Sequence, residues 1–93
     1  MKKKKICILG STGSIGQTTL EIISKNRTDF DVVLLSANNN IKLLISQAKK
    51  FKPTYIYLNN STFKEQIKTF CKNNNIYFID DLNSLKKIKF DVK

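Results

Sequence analysis

The sequence ICILGSTGSIGQTTLEII, residues 6–23, contains all three glycines of this 93-residue chain. The apolar run before Gly10 is typical of a strand that is buried on both faces of a parallel sheet. From Ser14 onward the apolar residues recur at helical spacing. We expect the buried face of this helix to carry Ile15, Thr19, Ile22 and Ile23. The sequence therefore predicts a strand, a tight turn and a helix in direct succession.

The rest of the chain alternates in the same way. Further apolar runs at residues 30–37, 54–58 and 76–80 predict strands, and residues 90–93 resemble the start of another. Two helical stripes lie between them, one at Ile41, Leu44, Ile45 and Ala48 and one at Phe63, Ile67, Phe70 and Cys71. The order β-α-β-α-β-α-β-α predicts a Rossmann-like open parallel sheet of about four strands, with helices on both faces. We expect one domain, residues 1–93, whose sheet is incomplete.

Composition excludes several classes of function. The net charge is +10, but the lysines are scattered along the chain and aromatic residues do not alternate with them, so we expect no nucleic-acid partner. No apolar run is long enough for a membrane span, and the N-terminus lacks a signal peptide, which predicts a cytoplasmic protein without a membrane partner. Cys7 and Cys71 each lie within an apolar pattern, and we expect buried free thiols.

The sequence also offers no residues that we expect to bind a metal or to act in catalysis. The chain has no His, and its Cys and carboxylate residues lack metal-ligand spacing. Asp80 and Asp81 follow a predicted strand and precede Leu82, which favours a helix cap over an acidic site. We therefore predict no metal ligand and no catalytic residue.

The three glycines have separate predicted roles in a dinucleotide-binding turn. Gly10 permits the tight turn, Gly13 lets a pyrophosphate approach the backbone, and Gly16 lets the helix pack closely. Free N–H groups at the helix start attract phosphate, and the hydroxyls of Ser11, Thr12 and Ser14 add donors. The alternative is a turn whose glycines serve only close packing.

The end of the second predicted strand reads SANNN, residues 36–40. NAD-binding proteins usually place a carboxylate here for the adenosine ribose. No carboxylate is present to repel a 2′-phosphate, and Ser36, Asn39 and Asn40 are able to donate hydrogen bonds to it. NADPH is therefore favoured over NADH, while Asn40 is also placed to cap the next helix.

The segments ILGSTGSIGQTTLEII, FDVVLLSANNN and AKKFKPTYIYL together resemble the N-terminal part of the 1-deoxy-D-xylulose 5-phosphate reductoisomerase family. The resemblance is clear over residues 5–58 and looser to Lys93, and the heptapeptide GSTGSIG is highly typical of the family. It implies an NADPH-binding portion in which residues 12–15 line the coenzyme phosphates and residues 38–40 lie at the adenosine end. Family members often carry GKN where this chain has three asparagines, so a neutral amide replaces a charge there.

For the full-length enzyme, the resemblance implies a homodimer that uses NADPH and a divalent cation, Mg²⁺ or Mn²⁺. Such an enzyme rearranges and reduces 1-deoxy-D-xylulose 5-phosphate to 2-C-methyl-D-erythritol 4-phosphate. We expect this chain to be partial, to bind only the coenzyme and to be inactive alone. The alternatives are the coenzyme domain of another NADP-dependent Rossmann oxidoreductase or epimerase, and a stand-alone NADP(H)-sensing module. The candidate coenzyme-binding residues are Gly10, Ser11, Thr12, Gly13, Ser14, Ile15, Gly16, Ser36, Ala37, Asn38, Asn39 and Asn40.

Overall fold

The computed structural model describes residues 4–59, 61–79 and 91–92. Strands and helices alternate as the sequence predicts. The elements are β1 (Lys4–Ile8), α1 (Ser14–Ser24), β2 (Phe30–Ala37), α2 (Ile41–Phe51), β3 (Tyr55–Leu58), α3 (Lys64–Asn73), β4 (Tyr77–Ile79) and β5 (Asp91–Val92), with a short 3₁₀ helix at Ser61–Phe63.

All described strands are parallel and lie in the order β4-β3-β2-β1-β5. The chain therefore adds strands in one direction from β1 to β4 and returns to the other side of β1 for β5. Nucleotides bind at such a reversal point, outside the carboxyl ends of the strands, in open α/β sheets. The topology thus marks the carboxyl end of β1, where the glycine loop begins. The predicted incomplete Rossmann-like fold is confirmed, and the expected strand start near residue 90 is present as β5.

The main core lies between the sheet and the three described helices. It joins Ile6 and Ile8 of β1 to buried residues from each helix, including Leu20, Leu44 and Ile67. The stripes predicted for α2 and α3 face this core. The stripe predicted for α1 is correct at Ile23 and wrong at Ile15 and Ile22.

Helix α1 buries Gly16, Leu20 and Ile23. Ile15 and Ile22, which we expected in the core, are 83% and 57% exposed. Glycine carries no hydrophobic side chain, so a sequence pattern based on apolar residues cannot recognise Gly16 as the contact that sets the orientation of the helix. Because Gly16 faces inward, the buried face of α1 is rotated away from Ile15.

The opposite face of the sheet is also apolar. Cys7 and Leu34 are completely or almost completely buried there together with Ile79, and Tyr55 and Tyr57 pack beside them. The described helices all contribute to the main core instead. A helix on this second face therefore stays a prediction, because the short helix expected after Asp81 lies outside the described residues, as does Asp80.

A side-chain cap marks the start of α2 but not the start of α3. The Asn40 side chain accepts a hydrogen bond from the Leu43 N–H at 3.2 Å, which confirms the predicted N-cap. At α3 the N-cap position is Phe63, without a side-chain capping bond. Because the 3₁₀ helix before it ends at Phe63, the first residue of the predicted stripe, α3 begins at Lys64.

Candidate functional site

Three loops meet at the carboxyl edge of the sheet. They follow β1, β2 and β3, and direct hydrogen bonds join them. The Ser11 N–H donates to the Ser36 carbonyl at 2.8 Å, and the Asn59 N–H donates to the Ala37 carbonyl at 3.0 Å. The glycine loop and the SANNN segment, which are separated in the sequence, therefore form one continuous surface.

Two of the three glycines are required by the conformation of the loop itself. Gly10 has φ +70°, a left-handed conformation that side-chain-bearing residues rarely adopt. A Cβ on Gly16 would lie 2.3 Å from the Gly10 carbonyl oxygen and 2.7 Å from Ser11 Cα. The roles predicted for Gly10 and Gly16 are thus visible in the geometry, although Gly16 packs against the loop rather than against the strand.

Gly13 differs from the other two glycines. It is exposed and lies at the N-cap of α1 with φ −75°, and a Cβ there would meet only the Gly10 carbonyl oxygen, at 3.4 Å. The fold alone therefore tolerates a side chain at this position. A glycine here leaves the outer surface of the loop as bare backbone, which agrees with close approach by a ligand.

The inner side of the loop is held by two serines. Ser11 is fully buried, and its hydroxyl donates to the Ser36 carbonyl at 3.2 Å. The Ser36 hydroxyl accepts a hydrogen bond from the Gly10 N–H at 2.9 Å. These side chains were expected to donate to the coenzyme, but the structure places both inside the protein, where they join the loop to β2.

Two glutamines bind consecutive carbonyls of the same loop. The Gln47 side chain, from α2, donates through Nε2 to the buried Ser11 carbonyl at 2.8 Å. Gln17, from α1, donates through Nε2 to the Thr12 carbonyl at 2.9 Å on the exposed side. Gln47 is itself buried, and no described residue donates a hydrogen bond to its Oε1. Such an unpaired buried polar atom costs about 1–3 kcal/mol, so this side chain is expensive to keep in the core.

The outer side of the loop carries donors without partners. No described residue accepts a hydrogen bond from the backbone N–H of Thr12, Ser14 or Ile15, and α1 has no side-chain N-cap bond. The first N–H groups of a helix have no acceptor within it, and they carry the positive end of the helix dipole. No acidic side chain lies in the first turn of α1. This surface is therefore suited to a phosphate.

Asparagine side chains form the adjacent part of the edge. Asn38, Asn39 and Asn40 are all exposed. Asn38 Oδ1 accepts a hydrogen bond from Asn59 Nδ2 at 3.2 Å, and Asn59 Oδ1 accepts one from the Tyr57 hydroxyl at 3.2 Å. With its oxygen engaged, Asn38 has its amide N–H groups available as donors. Asn40 uses Oδ1 for the helix cap, and the cap does not engage its Nδ2.

A comparison with protein families identifies the chain. The family model described as 1-deoxy-D-xylulose 5-phosphate reductoisomerase matches residues 6–89. The chain belongs to this family. One reductoisomerase, from Porphyromonas gingivalis, is 57% identical over 58 residues, which are 62% of this chain and 15% of the relative. Another, from Wigglesworthia glossinidia brevipalpis, is 45% identical over 92 residues, which are 92% of this chain and 23% of the relative.

Solved structures of reductoisomerases have the same fold. The enzyme from Zymomonas mobilis in complex with NADPH superposes with a TM-score of 0.81 at 26% identity, over 92% of this chain and 23% of that chain. A second reductoisomerase structure, with NADPH, fosmidomycin and magnesium, gives a TM-score of 0.80 at 24% identity and supports the fold alone. This chain therefore spans less than a quarter of the length of these reductoisomerases.

Several features of this chain were not expected from its sequence. Leu9, beside the glycine loop, is 52% exposed, and Ile15, at the start of α1, is 83% exposed. Apolar surface therefore flanks the bare backbone. Asn59, just after β3, and Gln47, on α2, support the site. A signal for Gln47 was present, because it lies three residues after Leu44 and so borders the stripe predicted to be buried, where a polar residue is unusual.

Two of the described residues, Cys7 and Cys71, carry thiols. Cys7 and Cys71 are buried free thiols, as expected, and burial raises the pKa of each to about 11. The thiolate form that reacts and binds metals is therefore disfavoured. Within residues 4–59, 61–79 and 91–92, no three His, Cys, Asp or Glu residues are grouped so as to hold a metal ion. Across those same residues, every helix is too short or too polar to span a bilayer.

Proposed function

We propose that this chain is the NADPH-binding part of a 1-deoxy-D-xylulose 5-phosphate reductoisomerase. Such an enzyme rearranges and reduces 1-deoxy-D-xylulose 5-phosphate to 2-C-methyl-D-erythritol 4-phosphate in the non-mevalonate isoprenoid pathway. Membership of the family and the likeness to a reductoisomerase in complex with NADPH support this proposal. We also propose, from the resemblance, that the full-length protein acts as a cytoplasmic homodimer.

The observation that carries the proposal is the two-sided glycine loop. Its inner side is fixed by hydrogen bonds from β2 and α2, and its outer side presents unpaired N–H groups at the start of α1. The loop lies at the reversal point of the sheet. A pyrophosphate placed there accepts hydrogen bonds from Thr12, Ser14 and Ile15 without displacing any bond within the protein.

The asparagine edge supports the choice of NADPH over NADH. No carboxylate lies in residues 36–40, and Asn38 has N–H donors available beside the exposed Asn39. A 2′-phosphate requires donors and is repelled by carboxylates, whereas a ribose hydroxyl favours an acceptor carboxylate. Because asparagine is neutral, the preference in this chain rests on hydrogen bonds more than on charge.

When bound, NADPH supplies the hydride for the reduction step. The residues of this chain bind the phosphates and orient the coenzyme, and we assign none of them a role at the reacting atoms. We assign the divalent cation, Mg²⁺ or Mn²⁺, to the full-length enzyme and no ligand for it to this chain. The rearrangement likewise needs residues that this proposal does not place here.

Calorimetric titration of the purified chain with NADPH and NADH tests the proposal. The exposed position of Asn38 allows a sharp variant, Asn38→Asp, because aspartate retains the oxygen that accepts from Asn59 and replaces the donor amide with a charged oxygen. A carboxylate about 4 Å from a phosphate costs about 1–4 kcal/mol. We expect NADPH binding to weaken at least about fivefold and NADH binding to strengthen or stay unchanged.

The matched control is Asn75→Asp, which adds the same charge to an exposed loop just before β4, at the amino edge of the sheet. It should leave both affinities within about twofold, since it lies at the opposite edge of the sheet from the loop and exposed charges are screened at physiological salt. Absence of NADPH binding by the unsubstituted chain would refute the proposal. Equal losses in both variants would mean that overall charge, rather than the asparagine edge, governs binding.

A further inference from the structure

We infer that Gln47 is a positioning residue for coenzyme binding, which holds the peptide group between Ser11 and Thr12 so that the Thr12 N–H points toward the coenzyme phosphates. The inference rests on the proposed function and assigns a role to a residue that lies 36 positions along the chain from the carbonyl it binds. It makes α2 part of the binding apparatus.

The geometry fixes the peptide group from one side. Gln47 Nε2 donates to the Ser11 carbonyl oxygen at 2.8 Å, and both residues are buried. The Ser11 N–H and hydroxyl both donate to the Ser36 carbonyl, at 2.8 and 3.2 Å. Ser11 is therefore held at its N–H, at its side chain and at its carbonyl, which leaves the following peptide group little freedom to rotate.

The orientation of the Ser11 carbonyl determines that of the Thr12 N–H. The two groups belong to one planar trans peptide unit, so they point in opposite directions. With the carbonyl directed inward to Gln47, the Thr12 N–H is directed outward, and no described residue accepts a hydrogen bond from it. A hydrogen bond received at the carbonyl also polarises the unit and strengthens its N–H as a donor.

Packing alone does not account for a glutamine at this position. Gln47 lies on the buried stripe of α2 between Leu44 and Ala48, and its Oε1 is buried without a hydrogen-bond donor among the described residues. Methionine would fill similar volume and leave no unpaired oxygen. A role at the loop explains why this position carries a side chain with a donor, Nε2.

Gln17 provides an internal comparison. It donates to the next carbonyl of the loop, that of Thr12, at 2.9 Å. The N–H of that peptide unit belongs to Gly13 and already donates to the Gly10 carbonyl at 3.0 Å. Loss of the Gln17 bond therefore changes no donor that faces the coenzyme, whereas loss of the Gln47 bond does.

The first test compares Gln47→Met with Gln17→Met by titration with NADP⁺ and by the ¹H–¹⁵N NMR signal of the Thr12 amide without coenzyme. We expect Q47M to raise the Kd about tenfold and to shift or broaden the Thr12 signal. Q17M should change the Kd less than about twofold. Ala48→Gly, a neighbouring buried position on α2, serves as a control for lost helix stability and should also leave the Kd within about twofold at a temperature where it is folded.

The second test restores the donor. Gln47→Glu keeps the shape of the side chain, and its carboxyl donates a hydrogen bond only when protonated. Relative to the unsubstituted chain at each pH, Q47E should bind NADP⁺ weakly at pH 8 and recover to nearly full affinity at pH 5, exceeding Q47M there. If Q47M does not fold, the inference is tested by the NADP⁺ affinity of Q47E at pH 5 compared with that at pH 8.

The outcomes distinguish failure of the proposed function from failure of the role inferred for Gln47. No NADP⁺ binding by the unsubstituted chain overturns the proposed function, and the inference with it. Normal binding by that chain, with the same Kd for Q47M, overturns the inference alone. Recovery of Q47E at pH 5 only to the level of Q47M also overturns it, because that result shows relief of charge repulsion without any contribution from the restored donor.

Discussion

Substitution of Gly16 by alanine should destabilise the fold through one close contact. The new Cβ would lie 2.3 Å from the Gly10 carbonyl oxygen, 2.7 Å from Ser11 Cα and 2.9 Å from the Ser11 carbonyl carbon. All three atoms are backbone, so no side chain is able to rotate away and either α1 or the loop must move. Overpacking of this kind costs about 3 kcal/mol or somewhat more.

A smaller effect of the same substitution acts in the opposite direction. Alanine is favoured over glycine inside a helix by about 1 kcal/mol, and position 16 lies in the first turn of α1. The net loss is therefore about 2–3 kcal/mol. For a domain of this size each kcal/mol lowers Tm by about 4–8 °C, so Gly16→Ala should melt roughly 10–20 °C below the unsubstituted chain.

Gly13→Ala is the matched control for this experiment. Its Cβ would meet only the Gly10 carbonyl oxygen, at 3.4 Å, and its φ of −75° suits alanine. Thermal unfolding followed by circular dichroism should show a Tm within about 3 °C of the unsubstituted chain, while NADPH binding weakens about fivefold or more as the Cβ occupies the outer surface. A Tm of Gly16→Ala equally close to that of the unsubstituted chain would refute the close approach of α1 to the loop.

Two further predictions concern the loop conformation and the buried thiols. Gly10→Ala should cost about 1–2 kcal/mol in urea denaturation because of its φ of +70°, and Gly10→Asn should cost less, since asparagine tolerates this conformation. Burial raises the pKa of Cys7 and Cys71 from 9.0 to about 11, so the folded state retains these protons longer than the unfolded state. The free energy of unfolding should therefore fall between about pH 9 and pH 11, by up to about 1.4 kcal/mol per pH unit for each thiol, and Cys71→Ala should show a shallower decline.

The alternation of strands and helices was predictable because it depends on local patterns. Apolar runs such as residues 30–37 gave the strand bounds directly, since a strand buried on both faces needs no alternation. Asn40 was predictable as a cap because the N-cap preference is a property of one side chain and the backbone next to it. The position of the glycine loop at the end of β1 followed from the same local rules.

The supporting residues of the site were not predictable in the same way. Ser36 and Ser11 have hydroxyls that suit either a ligand or the backbone, and only the approach of β2 to the loop decides between them. Gln47 reaches the loop across 36 residues, a contact that no local pattern encodes. The apolar pattern of α1 wrongly places Ile15 and Ile22 in the core for a related reason, because the decisive contact belongs to Gly16, which lacks a side chain.

These distant contacts link coenzyme affinity to folding of the first half of the sheet. The bonds that fix the loop come from Ser36 on β2 and Gln47 on α2, so the outward N–H groups are organised only when β1, α1, β2 and α2 have packed together. In a variant that opens this unit part of the time, the apparent Kd equals the intrinsic Kd divided by the fraction of molecules that is competent to bind. Gly16→Ala should therefore regain on cooling the part of its affinity that unfolding removes, whereas Gly13→Ala, which alters the outer surface itself, should remain weak at every temperature.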